Sequence, residues 1–297
     1  MPEPPTCRGP DPDPHPPREA LPAGACDAHS HVFGPRDRFP YAPDRPYTPP
    51  DAPFEGLRRV HDILGIGRAV IVQARCHGTD HRATLDAIAR SGGRWRGVAT
   101  VDGHETDRDF AALHDGGIRG VRFGFVRHLG GAPDLSLFER TLDRLPELGW
   151  HLVLHVEGDG ILDWTERLRR LRVPFVIDHM ARVRGADGLD QPAFRALLDL
   201  LRHPLAWVKI SGPERISATG APFLDAVPFA RALVAAAPDR VLWGVDWPHP
   251  NITGDMPNDG HLVDLLHRAV PDAAGRRAVL VDNPTRLYWP ETLHAAG

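Results

Sequence analysis

The sequence predicts a (β/α)₈ TIM barrel, an α/β fold in which eight parallel strands alternate with helices. Two regularities predict it: short β-branched runs begin roughly 23 to 42 residues apart, and stretches of helical period separate them. Eight such units fit the length of the chain, and eight is the number that closes a barrel. The alternative, an open doubly wound sheet, would place a glycine-rich phosphate turn after its first strand, where this chain has Asp27-Ala-His-Ser-His31.

The predicted elements alternate strictly along the chain, which requires parallel strands joined by right-handed crossovers. The strands, rich in Val, Ile, Phe and Trp, are Cys26–Val32, Arg68–Ala74, Arg96–Val101, Gly120–Phe125, His151–Val156, Pro174–His179, Trp207–Ser211 and Val241–Trp247. The helices between them are Phe54–Leu64, Arg82–Ser91, Asp109–Asp115, Leu137–Leu148, Ile161–Leu171, Ala193–Leu201 and Pro222–Ala236. A further pair of helices is expected after the last strand.

The chain is expected to form one domain with an N-terminal arm. Residues 1–24 contain Pro-Asp-Pro and Pro-Pro runs, which suit neither a sheet nor a helix interior, so they predict an extended, poorly ordered arm. Residues 25–297 then form the barrel. The longest connection, 34–53, carries Phe39, Tyr41 and Tyr47, and we expect it to cover the barrel mouth as a partial lid from which Tyr47 contacts the substrate.

Composition excludes several classes of protein. The 297 residues are 42% hydrophobic and 25% charged, as in an ordinary soluble globular chain. A formal net charge of −4 offers no basic field for nucleic acid or an anionic membrane. No apolar run approaches the ~18 residues of a membrane span and no export signal precedes the fold, so a cytoplasmic location is expected. Three cysteines without C-x-x-C spacing predict neither disulfides nor a thiolate zinc site.

Four histidines and one aspartate fall at the C-terminal ends of predicted strands, where barrels carry their catalytic groups. His29 and His31 share a face of the first strand, His155 ends the fifth, His179 the sixth and Asp246 the eighth. Imidazoles with one carboxylate are the ligand set of a divalent ion that keeps an open position for water. The sequence therefore predicts one metal ion, zinc ahead of manganese, held by His29, His31, His155 and Asp246.

Arginines near the same strand ends predict an anionic ligand. Strand alternation turns Arg122 inward between two glycines, Arg215 follows the seventh strand, and Arg75 follows the second. A guanidinium group matches the geometry of a carboxylate, so these three side chains are candidate substrate clamps. His249, close to the end of the last strand, is a further candidate for substrate contact.

Three other polar residues are expected to have structural roles. His151 begins its strand and should point to the barrel floor. Lys209 lies short of its strand end, which favours a supporting position under the pocket. Asp178 has the opposite parity to His179, which predicts that it faces the helices.

The motifs around these residues resemble the amidohydrolase superfamily, in its amidohydrolase-2 branch. They cover nearly everything after the arm and comprise Asp27–Pro35, Val72–Gly78, Gly120–Phe123, Asp178–Met180, Pro213–Arg215, Val241–Pro250 and Asp282–Pro290. The resemblance implies hydrolysis of a carboxylated lactone of the pyrone or muconolactone type. It also implies roles for two groups of residues: His29, His31, His179 and Asp246 around the reacting carbonyl, and Arg122 and Arg215 on the substrate carboxylates.

Two positions depart from the family's pattern. Lactonases of this branch that work without a metal have tyrosine where this chain has His155, whereas metal-dependent relatives keep histidine there. His128 stands where such lactonases have a carboxylate-binding arginine, for which Arg127 or Arg75 could compensate. Metal-independent operation therefore stays open, and the expected substrate is a small lactone bearing a carboxylate or a sulfonate.

The hypothesis from sequence is that a metal ion lowers the pKa of a bound water while Asp246 accepts its proton and returns it to the leaving group. His179 would orient the water or polarise the carbonyl. Two alternatives remain: a metal-dependent non-oxidative decarboxylase of an aromatic or muconate-type acid, and a barrel that binds an acidic metabolite without turnover. The expected partner is this small anion, not a nucleic acid or a membrane, and the sequence leaves open whether the chain forms a homo-oligomer.

Overall fold

Eight parallel strands form the sheet of this protein, in a computed structural model that describes residues 3–126 and 134–294. They pair in chain order, as a barrel requires, and confirm the predicted fold class. The strands are β1 Cys26–Ser30, β2 Arg68–Val72, β3 Trp95–Ala99, β4 Ile118–Gly124, β5 His151–His155, β6 Phe175–Ile177, β7 Ala206–Lys209 and β8 Val241–Leu242.

Helices follow the strands and cover the outside of the barrel. They are α1 Phe54–Leu64, α2 Arg82–Arg90, α3 Asp107–Asp115, α4 Leu135–Leu148, α5 Thr165–Leu168, α6 Pro192–Leu200, α7 Pro213–Ile216, α8 Val227–Ala236, α9 Asp259–Ala269, α10 Ala273–Arg277, α11 Asn283–Tyr288 and α12 Glu291–His294. The helix predicted over 161–171 is instead a 3₁₀ segment, Gly158–Trp164, followed by the short α5. Gly158 and Gly160 lower the α-helical propensity of this region.

Small and β-branched side chains fill the barrel interior, where Ala28, Val72 and Val153 belong to one buried cluster. Tyr288 of α11 joins this cluster, and its ring lies 4.9 Å from that of His151 at the start of β5. The end of the chain therefore closes the N-terminal end of the barrel. A larger cluster fills the layer between strands and helices. None of the helices within the described ranges is long and apolar enough to cross a bilayer.

The barrel closes through residues that follow β8 and hydrogen-bond to β1. The amide of Ala28 donates to the carbonyl of Trp243, and the amide of Asp246 donates to the carbonyl of His29, both over 2.8 Å. The buried carboxylate of Asp27 strengthens this closure, because its Oδ1 accepts hydrogen bonds from the amides of His29 at 3.0 Å and Val245 at 3.1 Å. Closure thus sets the first and last strands in register.

Oδ2 of Asp27 is also engaged, by His61 Nε2 of α1 at 2.9 Å and by the hydroxyl of Ser30. The carboxylate is completely buried, so each of these donors depends on it for a partner.

The N-terminal arm lies against the mouth side of the barrel. Thr6 forms a parallel bridge with Thr48 of the 34–53 loop, and the amide of Cys7 donates to the carbonyl of Thr48 over 2.9 Å. The thiol of Cys7 donates to Asn251 Oδ1 over 3.1 Å. Farther along, the side-chain amide of Asn258 donates to Asp11. The arm thereby contacts both the loop over the mouth and the segment that follows β8.

We predict that Asp27→Ala lowers the free energy of unfolding by about 4 kcal/mol, because it leaves two buried amides and His61 without their acceptor. Urea denaturation followed by circular dichroism measures this. Asp190→Ala is the matched control, since the Asp190 side chain is 92% exposed, and it should leave the midpoint unchanged. Equal midpoints for the two variants would contradict the role of Asp27 in closure.

Candidate active site

Polar side chains from several strand ends line one small chamber at the C-terminal mouth of the barrel. Its acid–base groups are His31, His155, His179 and Asp246, and its guanidinium groups are those of Arg75, Arg122, Arg182 and Arg215. Tyr47, from the loop over the mouth, is buried in the same wall. The residues that sequence reasoning selected from β1, β2, β4, β5 and the ends of β6, β7 and β8 are therefore neighbours.

Asp246 lies at the centre of a group of imidazoles. Its Oδ1 is 3.5 Å from His29 Nε2 and 3.2 Å from His31 Nε2, and its Oδ2 is 4.0 Å from His179 Nε2. Ligand atoms of His29, His179 and Asp246 all lie within 4.8 Å of one another, so these three residues could hold a metal ion. The ligand set predicted from sequence shares His29 and Asp246 with this cluster. His155 lies next to it, with its ring 5.5 Å from that of His179.

Left-handed backbone positions shape this part of the mouth. β6 ends at Ile177, and His179 and the three residues after it adopt φ between 47° and 56°; Asp246 has φ 65°. Such angles are uncommon for residues with a side chain and are concentrated at functional sites. Because strand geometry has already ended, both Asp178 and His179 point inward. The prediction that Asp178 faces the helices is therefore wrong.

Asp178 is a completely buried carboxylate beneath the cluster. Its Oδ1 lies 3.1 Å from Lys209 Nζ and 3.3 Å from His29 Nδ1, and its Oδ2 accepts a hydrogen bond from Arg122 Nε over 2.8 Å. Burial alone would raise the pKa of Asp178, but the charges of Lys209 and Arg122 and the contact with His29 hold it well below its usual range. Asp178 thus stays ionised and orients Arg122.

Arg215 pairs with Asp246. Its Nε and Nη2 approach Asp246 Oδ2 to 2.8 and 2.5 Å, and Nη2 also contacts the carbonyl of Pro250. Burial opposes ionisation of Asp246, yet the Arg215 guanidinium, followed by His179 and the other imidazoles, holds its pKa well below the ordinary value. The pairing engages Oδ2 and leaves Oδ1 directed toward His29 and His31.

Burial keeps three of the imidazoles near Asp246 neutral. Burial lowers the pKa of His29 to about 4 and lowers those of His155 and His179 well below 6.5. His31 Nδ1 lies 2.7 Å from the carbonyl of Val72 and donates its hydrogen there, so Nε2 is the ring nitrogen that faces Asp246 Oδ1, at 3.2 Å. Neutral imidazole nitrogens beside a carboxylate therefore fit a divalent ion.

Positive charge at the chamber exceeds what the carboxylates balance. Arg75 forms no hydrogen bond or ion pair with the residues that the structure describes, and it lines both the chamber and an adjoining cavity of about 220 Å³. Arg182 is half-buried; its Nη2 lies 3.4 Å from Glu157 Oε1, and its Nε has no hydrogen-bond partner within the described part of the chain. Sequence reasoning missed Arg182, although it lies three residues after His179. An anion would balance these guanidinium groups.

The structure does not place the three other residues that the sequence suggested as substrate contacts in the chamber. His249, expected to contact substrate, is fully buried, and its Nε2 lies 3.1 Å from Asp259 Oδ1 of α9. The side chain thus contacts that helix and does not line the chamber, so the expectation is corrected. Arg127 and His128 lie outside the described residues.

The fold and this cluster define the class of protein, and comparison with known families identifies it. The Amidohydrolase family profile matches residues 26–289. The chain therefore belongs to the amidohydrolase family and is an enzyme of that family.

Individual proteins similar to this chain give a more specific comparison than the family profile. The chain is 46% identical to 2-pyrone-4,6-dicarboxylate hydrolase of Comamonas testosteroni, over 94% of each chain. It is 44% identical to 4-sulfomuconolactone hydrolase of Hydrogenophaga intermedia, over 96% of this chain and 95% of the relative. A crystal structure of a probable 2-pyrone-4,6-dicarboxylic acid hydrolase from Acinetobacter baumannii, with citric acid bound, matches with a TM-score of 0.79 and 26% identity, covering 89% and 99% of the two chains. These relatives are lactone hydrolases by name.

We predict that Asp259→Asn destabilises the protein by about 2 kcal/mol at pH 6 and by less at pH 9. Burial alone would lower the pKa of His249, but the hydrogen bond and charge of Asp259 and the charge of Glu214 raise it above 6.5. A raised folded-state pKa adds stability that is full below 6.5 and is lost as pH rises through the folded value.

Urea denaturation at both pH values measures the difference from the unsubstituted protein. Asp187→Asn, at an exposed position, should show no dependence of this kind. A difference for Asp259→Asn that stays constant between pH 6 and pH 9 would contradict the assignment.

Proposed function

We propose that this protein hydrolyses a small lactone that carries a carboxylate or a sulfonate. The observation that carries the proposal is an ionised, buried Asp246 whose Oδ1 faces the ring nitrogens of His29 and His31 in a chamber lined by guanidinium groups. The relatives at 44 and 46% identity, which are named as hydrolases of a sulfonated and a dicarboxylated lactone, support the same substrate class.

Charge supports an anionic substrate. Of the four guanidinium groups at the chamber, Arg215 pairs with Asp246, and Arg122 uses only its Nε on Asp178. The Nη groups of Arg122, the guanidinium of Arg75 and the part of Arg182 that does not face Glu157 are available to the substrate. We infer that they bind its acidic substituent, while the hydroxyl of Tyr47 contacts it from the loop.

Hydrolysis needs a base for the attacking water and a donor for the leaving oxygen. We assign both steps to Asp246: Oδ1 accepts a proton from water as the water oxygen attacks the lactone carbonyl, and returns it to the ring oxygen when the C–O bond breaks. His179, whose Nδ1 lies 2.9 Å from the hydroxyl of Ser211, is oriented to place Nε2 near the carbonyl. His29 and His31 border the water position.

A divalent ion, zinc ahead of manganese, would be held by His29, His179 and Asp246 with His31 and His155 nearby, and would supply Lewis-acid polarisation and a lower pKa for water. Without it, the same residues offer a carboxylate base in a positively charged surrounding. With or without the ion, Asp246 accepts the proton of the attacking water and returns it to the ring oxygen.

We predict that Asp246→Asn lowers kcat for a carboxylated or sulfonated muconolactone by about 1,000-fold, because the amide cannot accept the proton. Ring opening is followed by the loss of lactone absorbance, and released carbon dioxide is measured in parallel. Asp190→Asn, at an exposed position that pairs only with the surface residue Arg195 among the described residues, is the control and should keep full activity.

Carbon dioxide release without ring opening would replace the proposal with decarboxylation, and binding without either product would replace it with a non-catalytic barrel. Metal analysis before and after chelation separates the two schemes: activity that follows the metal content supports the ion, and full activity in a metal-free sample supports Asp246 acting alone.

A further inference from the structure

A buried lysine lies directly behind the candidate metal cluster. Lys209, at the end of β7, is completely buried, and its Nζ lies 3.0 Å from Nδ1 of His29 in hydrogen-bond geometry. Histidines that bind metal generally donate their second ring hydrogen to a carboxylate, a carbonyl or water. Here a hydrogen-bond donor, Lys209 Nζ, lies at that position beside the carboxylate of Asp178.

The two neighbours of His29 Nδ1 favour opposite tautomers. An ammonium group has hydrogens and no lone pair, so Lys209 requires Nδ1 to be an acceptor, which places the ring hydrogen on Nε2. Asp178 Oδ1, at 3.3 Å from the same nitrogen, would require the hydrogen on Nδ1. Among the described residues, Asp178 Oδ1 lies close to His29 Nδ1 at 3.3 Å and to Lys209 Nζ at 3.1 Å without hydrogen-bond geometry to either, whereas Lys209 Nζ and His29 Nδ1 are in hydrogen-bond geometry at 3.0 Å.

The tautomer decides what the other ring nitrogen can do. With the hydrogen on Nε2, His29 has no lone pair for an ion, and this N–H faces Asp246 Oδ1 at 3.5 Å without hydrogen-bond geometry. With the hydrogen on Nδ1, Nε2 becomes a potential ligand. His31 does not share this choice, because the carbonyl of Val72 holds its hydrogen on Nδ1.

We propose that Lys209 is a positioning residue that holds His29 as the Nε2–H tautomer and thereby weakens the affinity of this cluster for a divalent ion. The proposal rests on the cluster used in the proposed function. It concerns the movement of one hydrogen between two ring nitrogens, and its test needs no substrate.

Lys209→Met removes the donor and keeps a side chain of similar length and volume. Asp178 Oδ1 then has His29 as its remaining close donor, so the hydrogen moves to Nδ1 and Nε2 is released for the ion. Loss of the nearby positive charge would also favour a cation. Arg182→Met is therefore the matched control, since it removes a cation from the same chamber and Arg182 has no ion pair or hydrogen bond to His29 or Asp178 within the described ranges.

The first measurement is the tautomer of His29 in the metal-free, unsubstituted protein, read from ¹⁵N shifts of labelled histidine and assigned with His29→Gln. We expect the Nε2–H form. This measurement does not depend on whether any variant at position 209 folds. The Nδ1–H form in the unsubstituted protein would overturn the proposal.

The second measurement is the affinity for Zn²⁺ alone, by competition with a chromophoric chelator. We expect Lys209→Met to adopt the Nδ1–H form and to bind Zn²⁺ at least about tenfold more tightly than the unsubstituted protein. Arg182→Met should keep the Nε2–H form, and its affinity for Zn²⁺ should increase less. Equal increases in Zn²⁺ affinity in the two variants would show an effect of charge alone and would overturn the proposal. Failure of lactone hydrolysis would leave both measurements intact, so the two proposals can fail separately.

Discussion

Two buried carboxylates, each paired with basic side chains, organise this site. Asp246 is held by Arg215, and Asp178 lies between Lys209 and Arg122. Burying such charges is costly, and ion pairs of this kind seldom add net stability compared with apolar side chains. Their effect is orientation: Asp246 keeps one oxygen free, and Arg122 keeps its outer nitrogens free. The arrangement of the imidazoles and of the anion-binding wall follows from these two pairings.

Barrel closure makes the pairings possible. Hydrogen bonds between β1 and the segment after β8, including those accepted by Asp27, bring His29 and His31 to Asp246. The site therefore depends on the whole sheet, because β4, β6 and β7 supply the basic residues and Asp178 while the two ends of the barrel supply the acid–base groups. Rigid strands position the groups, and turns at their ends aim them.

Sequence periodicity predicted the barrel and the inward direction of Arg122, because alternation holds within a strand. It failed where strands end early. β6 stops at Ile177, so parity misassigned Asp178, and the left-handed turn at His249 directed that side chain to α9. Neither turn contains the glycine that normally announces a positive φ. Arg182 was missed because it lies in the left-handed segment after β6, where strand alternation no longer applies. The close approach of Lys209 to His29 depends on three-dimensional register, which no local pattern encodes.

The central claim is that guanidinium groups left unbalanced by Asp246 and Asp178 select an anionic lactone. The most direct test compares kcat/KM for a carboxylated lactone with that for its methyl ester, which keeps the ring and removes the charge. The account predicts a loss of about 1,000-fold for the ester, because the guanidinium groups of the chamber would be left without their anionic partner. Equal kcat/KM values for the acid and the ester would contradict it.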